Sequence, residues 1–159
     1  MARLAAAVCL AMAIVGGGVA QADESPWPAH PYLTTSTGPI DLARFAYGSQ
    51  ACGRPSPTNP PFSSGWCVVA DPPAFGPIRL DRRIKAPFRG TVTVWVPDTT
   101  DSVVIGWGDQ PGIEFSSRPG VVWPVPGSGT YRMIITLKWH TNLATGETTY
   151  AVPLHVPRT

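Results

Sequence analysis

Proline limits this chain more than any other residue: nineteen occur in 159 residues, and twelve of them fall between Pro26 and Pro87. Each removes a backbone donor and fixes φ, so helix interiors and central strands are closed to it. That half of the chain is therefore expected to consist of turns, extended segments and short strands. One short helix fits within it, capped by Asp41, with Leu42, Phe45 and Ala46 as its apolar face and Gly48 at its end. Further on, Gly53-Arg54-Pro55-Ser56-Pro57-Thr58-Asn59-Pro60-Pro61-Phe62-Ser63-Ser64-Gly65-Trp66 has the composition of a stiff surface loop. Beyond it, Val68-Val69-Ala70 reads as a short strand stopped by Asp71-Pro72-Pro73.

The first 22 residues have a different character. Arg3 precedes an apolar run from Leu4 to Val15, followed by Gly16-Gly17-Gly18 and then Ala20-Gln21-Ala22, the order of a secretory signal cleaved before Asp23. The apolar run is shorter than the roughly 20 residues a bilayer span needs, and no later segment reaches membrane length. Cys9 leaves with the signal. Cys52 and Cys67 remain, and an even pair in an exported chain reads as a disulfide. A zinc site is excluded, because two cysteines without a nearby histidine cannot complete a tetrahedral set. With Arg3 removed from the twelve Lys and Arg residues, eleven cations face ten anions. That balance gives no bulk attraction for nucleic acid, and the expected location is extracytoplasmic: secreted or held at the cell envelope.

From about Gly76 the texture changes to alternating strands. Val92, Val94 and Val96 share one face of a strand, as do Val103, Ile105 and Trp107 after the turn Asp98-Thr99-Thr100-Asp101. Tyr131, Met133, Ile135, Leu137 and Trp139 alternate with polar neighbours over Tyr131–His140. A turn at Thr145-Gly146-Glu147 then leads into Tyr150, Val152, Leu154 and Val156, with Pro153 pointing that strand toward a sheet edge. The expected layout is a signal over 1–22, a proline-rich, disulfide-stapled segment over 23–75 and a β-sandwich over 76–159. The fold class is all-β, an antiparallel immunoglobulin-like sandwich. Whether residues 23–75 pack on the sandwich or trail from it stays open at this level.

Three features between Asp98 and Leu154 resemble the PKD-type (polycystic-kidney-disease) repeats. Ile105-Gly106-Trp107-Gly108-Asp109 is similar to that family's tryptophan followed by Gly-Asp, although Gln110 stands where the family has another glycine. Gly127-Ser128-Gly129-Thr130-Tyr131 resembles its turn before a tyrosine, and Arg132 to Trp139 its alternating penultimate strand. The resemblance implies an immunoglobulin-like interaction or spacer module that is not catalytic. In physical terms Trp107 supplies a large apolar anchor, Asp109 a turn-forming carboxylate and Gly129 a sharp entry into the strand.

No constellation of catalytic residues emerges. Ser128 lacks the spacing of a nucleophile elbow, and His30, His140 and His155 are too scattered for a metal motif. Asp98, Asp101, Asp109 and Glu114 are turn acids; they could offer calcium hard oxygen ligands, but no metal or other cofactor is expected. Two surface features remain. Arg79, Arg82, Arg83, Lys85 and Arg89 place five cations against one anion in eleven residues, a patch suited to an anionic polymer or lipid head group. Of six tryptophans, Trp95 lies opposite the valine face of its strand and Trp123 sits in a proline-flanked turn, so these two are expected to be exposed for stacking or docking. The reading is a non-enzymatic binding module for an envelope polymer or an extracellular protein. The alternative is an extracellular protease inhibitor that uses the Cys52–Cys67 loop as a preorganised insert.

Overall fold

The computed structural model describes residues 27–35, 37–53, 66–70, 83–87, 90–116 and 118–158. The segment expected to be a signal, most of the loop between the cysteines, and Arg79, Arg82 and Arg89 lie outside these residues. Among the described residues there are eleven strands: β1 (Tyr32–Thr35), β2 (Gly38–Asp41), β3 (Ala46–Gly53), β4 (Trp66–Ala70), β5 (Ile84–Lys85), β6 (Thr91–Trp95), β7 (Thr100–Trp107), β8 (Ile113–Ser116), β9 (Gly120–Pro124), β10 (Gly129–His140) and β11 (Ala144–Val156). They form two sheets. One has four strands in the order β2-β1-β6-β9; the other has seven, in the order β4-β3-β11-β10-β7-β8, with β5 added alongside β11. All pairings are antiparallel except that of β5 with β11.

Side-chain alternation places the two sheets around a common core. Leu33, Val92, Val94, Val121 and Trp123 from the smaller sheet meet Val103, Ile105, Met133, Ile135, Leu137, Trp139, Tyr150, Val152 and Leu154 from the larger one. Period-two alternation on every long strand is what makes such a two-layer core possible. The proline-rich segment is part of it. β1 pairs with β6 through Leu33↔Val94, and β3 pairs with β11 from Gly53↔Ala144 onward. The change of composition near residue 76 thus marks no break between sheets, and Leu33, Leu42 and Ala51 lie in the core.

Several local expectations are corrected. The helix shrinks to one 3₁₀ turn, Ala43–Phe45, with the Ala43 amide donating to Asp41 Oδ1 at 2.8 Å. Leu42 and Phe45 are buried as expected, but Ala46 and Gly48 already belong to β3, because pairing with β11 claims their backbone groups. The final hairpin turns at Thr141-Asn142-Leu143, not at Thr145-Gly146-Glu147. There the Thr141 amide donates to the Ala144 carbonyl at 2.7 Å, and Thr141 Oγ1 accepts from the Ala144 amide at 3.1 Å. Thr145, Gly146 and Glu147 lie between β10 and β3 as strand residues. Pro153 falls in the gap between the last rung to β3, Tyr150↔Ala46, and the first rung to β5, Leu154↔Ile84. A missing N–H is least costly there.

At the start of β10 the Tyr131 hydroxyl donates back to the Gly127 carbonyl at 2.9 Å, and its ring packs edge-on against Trp107 at 5.7 Å between centroids. Gly129, at φ +154°, bends the chain between them, and a Cβ there would meet the Tyr131 hydroxyl at 3.0 Å. Tyr131→Phe keeps the ring contact and removes one exposed hydrogen bond. Urea denaturation should register a loss of about 1 kcal/mol; no change at all would show that the hydroxyl does not hold the corner.

Candidate functional site

The outer face of the smaller sheet gathers an unusual group. In the register Tyr32↔Trp95↔Gly120, two aromatic rings and a glycine stand in one row across β1, β6 and β9. The Trp95 indole is fixed at both ends. Its Nε1 donates to Thr34 Oγ1 on β1 at 2.9 Å, and its benzo edge lies over Gly120, where a Cβ would come within 3.1 Å of Cε3. Tyr32 stacks on it with centroids 5.8 Å apart and an interplanar angle of 13°. The next row brings Pro39, Thr34, Thr93 and Val122 together. Tyr32 is 42 % exposed and Val122 62 %, so the row presents aromatic and apolar surface edged by hydroxyls. Because the indole is already hydrogen-bonded and packed, contact with a ligand would cost it little further ordering.

Trp123 is not part of this surface. It is only 6 % exposed, because it pairs with Val92 inside β9 and points inward with Val121 and Val125. Phe115 meets it edge-on at 5.9 Å. The alternation Val121-x-Trp123-x-Val125 carried that information, and the flanking prolines obscured it. Pro124 ends β9, the edge strand of its sheet, where a proline is tolerated. Tyr32 was not singled out in the sequence, and no local pattern there would have done so: its partner stands 63 positions away and only β1–β6 pairing joins them.

The larger sheet carries the described part of the basic patch. Ile84 points into the core, while Lys85 is exposed next to His155 in the β5–β11 register. Arg83 reaches over β11, and its Nη1 donates to Thr130 Oγ1 on β10 at 3.2 Å. Elsewhere on this face Glu114 accepts from Ser102 at 2.8 Å and pairs with Lys138 at 3.2 Å. These contacts hold its carboxyl below the usual range, the Ser102 hydrogen bond first and Lys138 second. Asp101 meets His140 Nδ1 at 2.7 Å. Two of the four acids expected in turns, Asp101 and Glu114, stand instead on β7 and β8 and are already engaged, and no group of three potential metal ligands occurs among the described residues.

The remaining residues singled out in the sequence have structural placements. Trp107, Gly108 and Asp109 form the β7–β8 turn, with Gly108 at φ +55° and the Gln110 amide donating to the Trp107 carbonyl at 3.0 Å. Cys52 and Cys67 are bonded across β3 and β4 as directly opposed residues, Cα atoms 4.1 Å apart. Tyr150, buried in the core, has its hydroxyl 3.4 Å from His30 Nδ1. Its pKa is pushed up to about 12, by burial first and by the Asp41 charge second, so the phenol keeps its proton.

Comparison with known proteins identifies no relative: no family model, no curated protein and no solved structure matches the chain. No helix among the described residues is long and apolar enough to cross a membrane. The disulfide is consistent with an oxidising, extracytoplasmic compartment.

Proposed function

We propose that this protein is a non-enzymatic binding module, exported to the cell envelope or beyond, which engages an extracellular polymer through the outer face of its four-stranded sheet. The observation that carries the reading is the stacked Tyr32–Trp95 pair, immobilised on a surface that faces solvent beside Val122 and three strands' worth of small or hydroxylated neighbours. Rigid aromatic rings with hydroxyls at their edges suit the apolar faces and hydroxyl rims of sugar rings. The basic residues Arg79, Arg82, Arg83, Lys85 and Arg89 and the near-neutral overall charge complete a module for a polymer other than nucleic acid.

An immunoglobulin-like, PKD-type arrangement is part of the same proposal. Supporting it, β1-β6-β9 faces β8-β7-β10-β11 across one core, as the A-B-E and C′-C-F-G strands of such sandwiches do. The Tyr131 hydroxyl bonded to the chain four residues upstream matches a tyrosine corner. On this reading β2 to β5 are an insertion between the first two strands of the sandwich, and they widen the larger sheet.

The test is sedimentation of the mature protein with purified cell envelopes at low and high salt. Trp95→Ala and Tyr32→Ala should each weaken salt-resistant binding at least about tenfold, whereas Trp123→Phe should affect stability and leave binding intact. Envelope binding that survives both aromatic substitutions unchanged would refute the proposed surface.

A further inference from the structure

On the opposite side of the sandwich, the geometry points to a site for a phosphate group, formed by Arg83, Lys85, Thr130 and His155. It rests on the reading of the protein as a polymer-binding module and names the chemistry that its basic patch recognises. Three strands, β5, β11 and β10, lie side by side here, and their registers, Lys85↔His155 and His155↔Thr130, set the side chains in one row. Arg83 crosses that row to reach the Thr130 hydroxyl.

Donors outnumber acceptors throughout the cluster. Arg83 Nε and His155 Nδ1 lie below the water-accessible surface without a hydrogen-bond partner among the described residues, so the groups offered to a ligand are the Arg83 fork and the Lys85 ammonium. Lys85 is exposed, and the two ion pairs of the described residues, Lys138–Glu114 and His140–Asp101, use neither it nor Arg83. No acidic residue stands on β5, on 129–132 or on 153–156. Two like charges two residues apart on one face repel each other, and a phosphate anion supplies both negative charge and acceptor oxygens. Arginine, lysine and a hydroxyl converging from neighbouring strands suit phosphate in particular, because the guanidinium matches its paired oxygens and the ammonium adds a second positive charge.

The phosphate is assigned to a hydrated polymer and not to a lipid surface. Of the exposed large hydrophobic residues, Trp27, Val68, Val69 and Leu143 stand toward the other end of this sheet, Ile113 on its far edge, and Tyr32 and Val122 on the other sheet. Among the described residues no exposed apolar group stands beside the cluster, and membrane docking by charge alone is weak.

The experiment is an amide-resolved NMR titration of the mature protein with inorganic phosphate and then with polyphosphate, alongside co-sedimentation with phosphatidylglycerol vesicles. Both phosphate probes should shift the amides of Lys85, Thr130 and His155 and leave those of Tyr32 and Trp95 in place. Arg83→Gln and Lys85→Gln should each weaken polyphosphate binding at least about tenfold, while Val69→Thr, exposed at the other end of the sheet, leaves it unchanged. Lys85 is exposed, so its substitution tests the site without touching the core. Shifts that are absent or spread over the whole molecule, or unaltered affinity in Lys85→Gln, overturn the site. Binding to the vesicles without binding to polyphosphate overturns the polymer assignment and makes the membrane the partner. Loss of envelope binding in Trp95→Ala with the phosphate titration intact, or the reverse, separates the fate of this site from that of the aromatic surface.

Discussion

Gly146→Ala should destabilise the protein by about 3 kcal/mol, at the upper end of what overpacking costs. Gly146 lies on the inward face of β11, opposite Trp139 on β10 and Ala51 on β3. A Cβ at that position would collide with the Gln50 carbonyl and come within 2.5 Å of Trp139 Cζ2. Neither neighbour yields easily. Gln50 is held in the β3–β11 ladder, and Trp139 is fully buried with its Nε1 donating to Thr148 Oγ1 at 3.0 Å. The constraint is therefore a shortage of space in the middle of a sheet and not a special backbone angle. A double-mutant cycle with Trp139→Leu, read by urea denaturation, checks the cause. Shortening the ring should recover about 1 kcal/mol of the alanine penalty, and the Gln50 collision should account for the remainder. Strict additivity would show that the ring is not what excludes a side chain from position 146.

Loss of the disulfide should cost a similar amount. Cys52 and Cys67 close a loop with a sequence separation of 15, and tethering a loop of that size restricts the unfolded chain by about 3 kcal/mol. The Cys52→Ser/Cys67→Ser variant, or the reduced wild type, should show that loss in its denaturation midpoint. The effect should also be uneven. β3 remains anchored to β11, whereas β4 has β3 as its only paired strand among the described residues, so amide exchange should accelerate in Val68 and Val69 far more than in Ser49 and Gln50. Unchanged stability on reduction would mean that strand pairing alone restrains the unfolded chain as well as the covalent link does. The same reduction separates the two functional ideas. Inhibition of a protease through the bridged loop would collapse with the bridge, and binding through Tyr32 and Trp95 would weaken only as far as the fold does.

Stability and recognition use different parts of this molecule. Trp139, with Gly146 opposite it and Thr148 hydrogen-bonded to it, holds the larger sheet against the core, while Tyr32 and Trp95 stand on the far side of the smaller one. Tyr32→Ala should therefore alter binding with little loss of stability, since exposed changes away from buried networks usually cost under about 0.5 kcal/mol, whereas Trp95→Ala also removes a half-buried ring and its hydrogen bond to Thr34 and should cost about 1 kcal/mol.

How much could be read in advance depended on the range of the interaction. The valine alternation of β6 and the long apolar alternations of β10 and β11 are local consequences of a period-two backbone; they placed Val92, Val94, Met133, Ile135, Leu137, Trp139, Tyr150, Val152 and Leu154 in the core correctly, while Tyr131 is only partly buried. Two cysteines left in a chain that reads as exported were enough to foresee the bridge. Proline and glycine signals were read less well, because they are permissive and not prescriptive. Pro124 suggested a turn at Trp123 where an edge strand tolerates it, and Gly146 suggested a turn where crowding by Trp139 and Gln50 demands a missing side chain. The placement of β1 between β2 and β6, the stacking of Tyr32 on Trp95 and the meeting of Arg83 with Thr130 all join residues separated by 47 positions or more or depend on such pairings. Those contacts are selected by which strands bury the most apolar surface together, a property of the whole folded chain that no window of sequence contains.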